Sequence, residues 1–314
     1  MKSPRKYIPL LAALFCSMML LAACGNKEDS GKSSDSPKEK TVTDAMGKVT
    51  IPATPKRILA PYMEDSLTAL GIKPAAQWSI GTTVLDYLQT DLKNVPKISW
   101  DLPLEQTIKA KPDLIIFSSA GAIQNGQYEE YKKIAPVYVF KDTDGADWKK
   151  QLTTIGSLTG KEKEAKGKLA EYDTKTDKSS AAIKKAIGDD TAAIIWVAGN
   201  KYYLFENNRF AGNVLYHELG VSQPDMIKKL PEAKAAWQPV SLESLSDLDA
   251  DHLFITALPN EAGVAKLQES TIYKNLPAVK QNHVYIMKDP SNWTINGLLA
   301  NEKTMDEIEQ SLTK

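Results

Sequence analysis

Large aromatic side chains stand where the predicted strands of this chain end or on the loops that follow. Rings with polar tips bind bulky, half-polar ligands at little entropic cost, and a guanidinium among them can grip an oxygen-rich group. Core packing is the alternative for each ring, and a surface ion pair is the alternative for the arginine. The candidate ligand-binding residues are Tyr62, Trp78, Ser118, Ser119, Trp148, Trp196, Tyr203, Arg209, Trp237 and Trp293, with Trp100 on a connecting loop.

Sequence motifs for covalent chemistry are absent. The chain has no Gly-x-Ser-x-Gly elbow, no phosphate-binding loop and no His-Glu-x-x-His motif. Its three histidines, His217, His252 and His283, are isolated from one another, which disfavours a bare zinc or manganese site. We therefore expect no catalytic residue, no metal site built from protein ligands and no cofactor.

The elements that position the aromatic residues alternate between strand and helix. Short apolar runs at 57–60, 113–117 and 137–140 predict buried strands, and helical spacing follows the first of them at 64–70. Residues 161–187 then predict one long charged helix of roughly 40 Å at 1.5 Å per residue, although a solvated helix within one domain is the alternative. Renewed alternation after this helix predicts an α/β fold with mainly parallel sheets.

One local pattern occurs twice. Leu104-Glu105 stands eight residues before Asp113 and its strand, and Leu242-Glu243 stands in the same way before Asp251. Two copies on either side of a long helix predict two Rossmann-like lobes joined by that helix, with a ligand cleft beyond the carboxyl ends of their strands. The predicted bounds are 45–157 for the N-terminal lobe, 158–188 for the inter-lobe helix and 189–314 for the C-terminal lobe.

The N-terminus carries a targeting signal. Basic residues precede an uncharged stretch at 8–23, which is shorter than the roughly 20 apolar residues of a spanning helix and ends in small residues before Cys24. We predict a signal peptide at 1–23, resembling that of bacterial lipoproteins, and lipidation of Cys24, since two acyl chains hold a protein on a bilayer. An ordinary signal peptide or short anchor with an incidental cysteine is the alternative.

The cleaved chain keeps only one cysteine, so it can form no internal disulfide. Residues 25 to about 40 are glycine, serine, lysine and acidic residues without a large apolar side chain, and we predict the lipidated cysteine and a flexible tether over 24–44. The sequence has 39 basic and 39 acidic side chains, a balance that gives no sign of a nucleic-acid partner.

Motifs along nearly the whole mature chain occur in an order typical of one family. Besides the lipidation motif they are Pro55-Lys56-Arg57-Ile58, Leu70-Gly71-Ile72-Lys73-Pro74, Lys111-Pro112-Asp113-Leu114-Ile115, Leu158-Thr159-Gly160, Val214-Leu215-Tyr216-His217-Glu218-Leu219-Gly220 and His283-Val284-Tyr285. The chain thereby resembles the lipoprotein substrate-binding components of ABC importers for iron-siderophores, haem and vitamin B12. The resemblance implies a non-enzymatic protein that delivers its ligand to a permease with a cytoplasmic ATPase. The expected location is the outer face of the cell membrane of a Gram-positive cell, and a tethered periplasmic location is the alternative. We expect a monomer.

The same resemblance gives the repeated glutamates a role. It implies that Glu105 and Glu243, one in each lobe, dock onto arginines of the permease. Two separated carboxylates fix orientation better than one, and each suits the first turn of a helix. The alternative is that each glutamate only begins a helix.

The resemblance leaves the ligand open. Relatives that bind ferric catecholates carry cations on the strand that opens the second lobe, whereas here that strand, 194–198, has none. A ferric siderophore of the hydroxamate or mixed citrate-hydroxamate type suits one arginine among aromatic rings. We expect lobe closure around this Fe(III) complex, without a protein ligand to the iron. Haem, cobalamin and, with less support, a ferric catecholate are the alternatives within the family; a surface hydrolase and an adhesive protein are those outside it.

Overall fold

The computed structural model describes residues 38–234 and 236–314. The predicted signal peptide, the lipidated Cys24 and most of the predicted tether lie outside these residues. In the part that is described, no helix is long and apolar enough to cross a membrane. The α/β fold class with parallel sheets and one long helix is confirmed, as the elements below set out.

An antiparallel hairpin opens the described chain. It pairs β1 (Glu39–Asp44) with β2 (Gly47–Pro52), and one valine of each strand packs against the core. Asp44 is buried and accepts a 2.8 Å hydrogen bond from the backbone nitrogen of Val139. The predicted tether over 24–44 is therefore too long at its C-terminal end, because residues 39–44 pair with 47–52 in a sheet.

The first sheet carries the short apolar runs of the N-terminal half. Side by side and parallel lie β3 (Ile58–Leu59), β6 (Leu114–Phe117) and β7 (Val137–Val139). A separate parallel pair consists of β4 (Gln77–Ser79) and β5 (Lys97–Ser99). The connecting helices are α1 (Glu64–Ala69), α2 (Gln89–Leu92), α3 (Leu104–Ala110), α4 (Tyr128–Lys132) and α5 (Asp142–Gly145), with 3-10 turns at Asp86–Leu88, Ala120–Ala122 and Gln124–Gly126.

The predicted long helix is present as α7 (Glu162–Ile187), with 26 residues. It follows α6 (Trp148–Thr159), which ends at Gly160 with φ at 72°. Residues 158–160 therefore close the preceding helix, where a left-handed glycine is favoured, and do not begin the long one as predicted. The buried side of α7 packs against α6 and against α13 (Leu298–Leu312) through Ala165, Tyr172, Ser179 and Ile183.

The second sheet follows the long helix. Its strands lie in the order β11 (Val284–Met287), β10 (His252–Ala257), β8 (Ala192–Ala198) and β9 (Lys201–Leu204), of which only β9 is antiparallel to its neighbour. The helical segments around it are α8 (Ala211–Asn213), a π turn at Val214–Glu218, α9 (Asp225–Lys228), a 3-10 turn at Glu243–Asp247, α10 (Ala262–Glu269), α11 (Thr271–Asn275) and α12 (Pro277–Lys280).

The repeated sequence pattern places the same device in both sheets. Asp113 precedes β6 and accepts hydrogen bonds of 2.7 and 2.9 Å from the backbone nitrogens of Lys56 and Arg57, just before β3. Asp251 precedes β10 and accepts two hydrogen bonds of 2.8 Å from the backbone nitrogen and hydroxyl of Thr191, just before β8. Each carboxylate fixes the start of the neighbouring parallel strand, which agrees with a duplicated α/β unit.

Asp65 of α1 joins the two halves of the chain. It is 2% exposed and accepts hydrogen bonds from the backbone nitrogens of Leu299 (3.1 Å) and Ala300 (2.9 Å), in the first turn of α13. The hydroxyl of Tyr87 donates a third, at 2.9 Å. Helix α13 begins directly after Gly297, where a Cβ would lie 2.3 Å from the Asp65 Cγ. Only glycine allows the helix to approach so closely.

The two sheets share a core. One buried cluster includes Ile58 and Leu114 from the first sheet, Ile194 and Phe254 from the second, and Tyr172 from α7. A second cluster covers the opposite face of the first sheet, since alternate residues of a strand point to opposite sides. The lobe bounds at 45–157 and 189–314 stay predictions, and the helix predicted at 158–188 is Glu162–Ile187.

Replacing Asp251 tests the repeated device. We expect Asp251→Ala to lower the free energy of unfolding by about 1–3 kcal/mol, because two hydrogen bonds to a charged group are lost. Hydrogen bonding from Thr191 holds the pKa of Asp251 below its ordinary value. Asp251 therefore contributes to the free energy of unfolding above about pH 4, and this contribution is lost as the pH falls through the lowered pKa. Urea unfolding at pH 7 and pH 3 measures both effects.

The exposed Asp247 provides the control for this experiment. Asp247→Ala removes the same charge and should change the free energy of unfolding by less than about 0.5 kcal/mol. An Asp251→Ala variant as stable as the control at pH 7 would contradict the assigned role.

Candidate functional site

Strand ends from the β4–β5 pair and from the second sheet meet at a cavity of about 360 Å³, which we call the inter-lobe cleft. The residue after β4, Ile80, lines one side, and the residue after β10, Leu258, lines the other. Three of the predicted ligand-binding residues, Tyr62, Trp78 and Trp196, lie in its wall. The remaining wall residues are Thr83, Val84, Leu85, Asp86, Val197, Ala198, Glu261, Pro290, Ser291, Thr294 and Ile295.

A second cavity of about 360 Å³, the aromatic pocket, adjoins the cleft on the side of the first sheet. The two cavities share Tyr62, Trp78 and Ile80, so they form neighbouring parts of one concave surface. Trp100 and the predicted Ser118 also line the aromatic pocket. Its other wall residues are Pro61, Leu102, Phe117, Ala122 and Gln124.

Exposed apolar side chains concentrate at these cavities. Among the described residues, Tyr62, Ile80, Trp100 and Leu258 are each 48–52% exposed and all line the cleft or the aromatic pocket. Clustered apolar exposure of this kind marks a surface that another molecule covers. The two cavities are therefore the candidate binding site.

Tyr62 and Trp78 form the junction of the two cavities. Their ring centroids lie 4.5 Å apart, edge to face, and the backbone of Tyr62 is in the left-handed region with φ at 66°. A bulky residue seldom adopts this conformation. Where it does, the surrounding structure enforces it, and such residues cluster at functional sites. The ring of Tyr62 is thus positioned at the mouth of the site by its backbone.

Glu64 supports this junction from beneath. Its Oε1 accepts a 2.7 Å hydrogen bond from the backbone nitrogen of Trp78, and the side chain is buried. Burial raises the pKa of Glu64 to about 7. The carboxyl group therefore holds the strand that carries Trp78, beneath the surface that a ligand would touch.

An aromatic cluster backs the cleft on the side of the second sheet. Trp196 lies 5.2 Å from Tyr203 and 5.0 Å from Trp237 between ring centroids. Of these three predicted residues, only Trp196 reaches the cleft wall, and the other two pack behind it. Tyr203 and Trp237 thus support the position of Trp196.

Arg209 is 4% exposed and does not line either cavity. Its guanidinium forms an ion pair with Glu206, donates a 2.8 Å hydrogen bond to the carbonyl of Lys234 and stacks over the ring of Trp237 at 4.2 Å. The Nε and Nη2 donors of Arg209 are used within the protein, and its role in gripping the ligand stays a prediction. Its ion pair is buried, whereas the alternative considered from the sequence was a surface pair.

Three further predicted residues lie away from the cavities. Trp148 packs against Tyr172 of the long helix at 4.9 Å, and Trp293 is fully buried with its Nε1 donating a 2.7 Å hydrogen bond to Glu307. Both rings belong to the core because their apolar area is covered by helices α7 and α13. Ser119 accepts a 3.1 Å hydrogen bond from the backbone nitrogen of Ala122 and so begins a 3-10 turn.

Several wall residues were not identified from the sequence. Ile80 and Leu258 directly follow strands, as the predicted aromatic residues do. They are aliphatic, and only aromatic and polar residues were predicted at these positions. Segments 83–86 and 290–295 follow irregular loops, and no periodic pattern marks them. Tertiary packing alone brings these two segments together, as the 3.1 Å hydrogen bond from the Tyr87 backbone nitrogen to the Ser291 hydroxyl records.

A cleft of this kind, between two mainly parallel sheets joined by a long helix, defines a two-lobed ligand-binding protein. The chain belongs to the periplasmic binding protein family, whose sequence model matches residues 59–290.

Relatives of known name cover nearly the whole chain. The iron(3+)-hydroxamate-binding protein FhuD of Bacillus subtilis is 32% identical over 319 residues, covering 98% of this chain and 99% of the relative. The probable siderophore-binding lipoprotein YfiY of the same organism is 30% identical over 331 residues, covering 99% of both. The crystal structure of Staphylococcus aureus SirA with staphyloferrin B is 27% identical, with a TM-score of 0.72, and the match covers 87% of this chain and 98% of that one.

Two tryptophans test which rings contact a ligand. We expect Trp100→Ala to raise the Kd for a ferric hydroxamate about tenfold, since an exposed ring of the pocket wall is lost. Trp293→Phe should leave that Kd unchanged and lower the free energy of unfolding by about 1–3 kcal/mol, because its hydrogen bond to Glu307 is removed. Isothermal titration and urea unfolding give the two quantities. An unchanged Kd for Trp100→Ala would remove the aromatic pocket from the site.

Proposed function

We propose that this protein is the substrate-binding component of an ABC importer, held at the outer face of the cell membrane, and that it captures a ferric siderophore for delivery to its permease. The observation that carries the proposal is the concave aromatic surface formed where strand ends of both sheets meet, in a chain of the periplasmic binding protein family. Ligands bind in this position in open parallel sheets.

The proposed ligand is a ferric complex of the hydroxamate type. Tyr62, Trp78, Trp100 and Trp196 offer flat rings with polar tips to a bulky organic complex. Among the relatives, iron(3+)-hydroxamate is the named ligand of FhuD. In this proposal the site binds the organic part of the siderophore, and the siderophore's own oxygens hold the iron.

The binding step is closure of the two halves over the complex. Wall residues from both sides of the cleft would then bury the ligand without any covalent change. The chain acts as a carrier and not as an enzyme.

A panel of ferric siderophores tests the ligand class. We expect hydroxamate complexes to quench the tryptophan fluorescence with saturation, because three tryptophans line the two cavities. Catecholate complexes should quench only at much higher concentration, and the iron-free siderophores serve as controls. Quenching by catecholates alone, or by no complex of the panel, would refute the proposal.

We further propose that Glu105 and Glu243 dock the protein onto its permease. Glu105 lies in the first turn of α3 and Glu243 in the first turn of the 3-10 helix before β10, and both are exposed. Each thus occupies the same place before the central strand β6 or β10 of its sheet. Hydrogen bonds from its own backbone nitrogen and from Ser241 hold the pKa of Glu243 below its ordinary value, so its negative charge persists at neutral pH.

Charge reversal tests the docking role. The double variant Glu105→Lys, Glu243→Lys should abolish uptake of radioactive iron by cells while the Kd for the ferric siderophore stays within about twofold, because both groups lie outside the cavity walls. The exposed Glu162 and Glu269 give the matched control, and their reversal to lysine should leave uptake unchanged. Lost ligand affinity in the docking variant, or equal uptake by both double variants, would count against the role.

The proposed location depends on Cys24. Lipidation there would keep the folded body close to the permease, and the relative YfiY of Bacillus subtilis is named a lipoprotein. The anchored protein would then diffuse in the plane of the membrane and would not be lost to the medium.

A further inference from the structure

We infer that the inter-lobe cleft selects ferric hydroxamate complexes by charge, accepting those with zero or positive net charge over anionic ones, and that Asp86 is the selecting residue. The inference rests on the proposed function and narrows its ligand class. It excludes the citrate-containing complexes that the sequence left open, since their additional carboxylates make them anionic.

The charges in the cavity walls are the first observation. Among the described wall residues of the cleft and the aromatic pocket, Asp86 and Glu261 are the charged ones, and both are acidic. The remaining surface is aromatic, aliphatic or neutral polar. A wall of low polarity with two carboxylates lowers the energy of a cation and raises that of an anion.

Asp86 is the carboxylate that is free to respond to a ligand. It is exposed at the start of the 3-10 turn 86–88, next to Tyr87, whose backbone nitrogen donates a 3.1 Å hydrogen bond to Ser291, two residues after Asp289 in the other half of the chain. Partial burial and the negative charge of Asp289 raise the pKa of Asp86. Repulsion between the two groups is relieved when a positive group of the ligand lies near them.

Glu261 has a fixed structural task in the same wall. Its carboxylate accepts hydrogen bonds from the backbone nitrogens of Gly199 (3.3 Å), Asn200 (3.2 Å) and Gly263 (3.3 Å), and these hold its pKa below the ordinary value. It remains ionised at neutral pH and adds a permanent negative charge to the cleft. A variant at this position would disturb the loop, so it is unsuitable as a test.

The cations near the site are engaged by other groups. Lys97 donates a 3.2 Å hydrogen bond to the carbonyl of Thr82 and lowers the pKa of Asp86 only as a minor influence. Lys303 lies 4.0 Å from Asp289, and Arg209, the cation expected in the cleft, is paired with Glu206. None of the three lines the cavity walls. Among the described residues, the cavity walls therefore present no cation to an anionic complex.

One siderophore scaffold in three charge states tests the inference. A linear trihydroxamate with a free terminal amine gives a cationic ferric complex, its N-acetyl form a neutral one and its N-succinyl form an anionic one. We expect the full-length protein to bind the anionic complex about tenfold more weakly than the cationic one at low ionic strength, with a smaller ratio at 0.5 M NaCl. Fluorescence titration gives the three Kd values.

Asp86→Asn removes the charge with little change in shape and should reduce the ratio of anionic to cationic Kd at least threefold. Asp91→Asn is the matched control, since Asp91 is exposed in the next helix and lies outside the cavity walls; it should leave the ratio unchanged. Equal affinities for the three complexes, tighter binding of the anionic one, or a ratio unaffected by Asp86→Asn would overturn the inference and leave the proposed function standing. Binding of none of the three would refute the proposed function itself.

Discussion

The contact between Asp65 and the first turn of α13 is the interaction on which the arrangement of the site depends. A carboxylate of the N-terminal half accepts hydrogen bonds from two backbone nitrogens of the C-terminal helix, and a tyrosine hydroxyl completes its set. Burial raises the pKa of Asp65, so these hydrogen bonds offset an unfavourable desolvation. The carboxylate of Asp65 occupies the space that a side chain at position 297 would fill. The two halves can therefore approach this closely only with glycine at that position.

The segment 62–65 shows how the fold and the site depend on each other. Tyr62 supplies a ring to both cavities, Glu64 holds the backbone of Trp78, and Asp65 holds α13. These roles succeed one another within the turn after β3 and the start of α1. A shift of α13 would therefore displace Asp65 and, through the backbone of 62–65, the ring of Tyr62 in the cleft wall.

The sequence predicted the fold more closely than the site, and the physical reason is the difference between local and tertiary signals. Apolar runs and helical spacing identified the sheets and α7, and the repeated Asp113 and Asp251 identified equivalent strands. Whether a ring faces a cavity or the core depends on neighbours distant in sequence. Trp100 and Trp293 both follow strands on loops, but Glu307 of α13 covers and binds only Trp293. The pairing of Arg209 with Glu206 is likewise set by burial, which the sequence around it does not mark.

Wall residues of both halves are expected to contact one ligand in the inter-lobe cleft. Hydrogen–deuterium exchange of the protein, free and saturated with a ferric hydroxamate, tests it directly. Slower amide exchange in segment 80–88 together with segments 258–261 and 290–295 is the predicted result. Protection confined to the segments of one half, or found only outside the two cavities, would contradict the account.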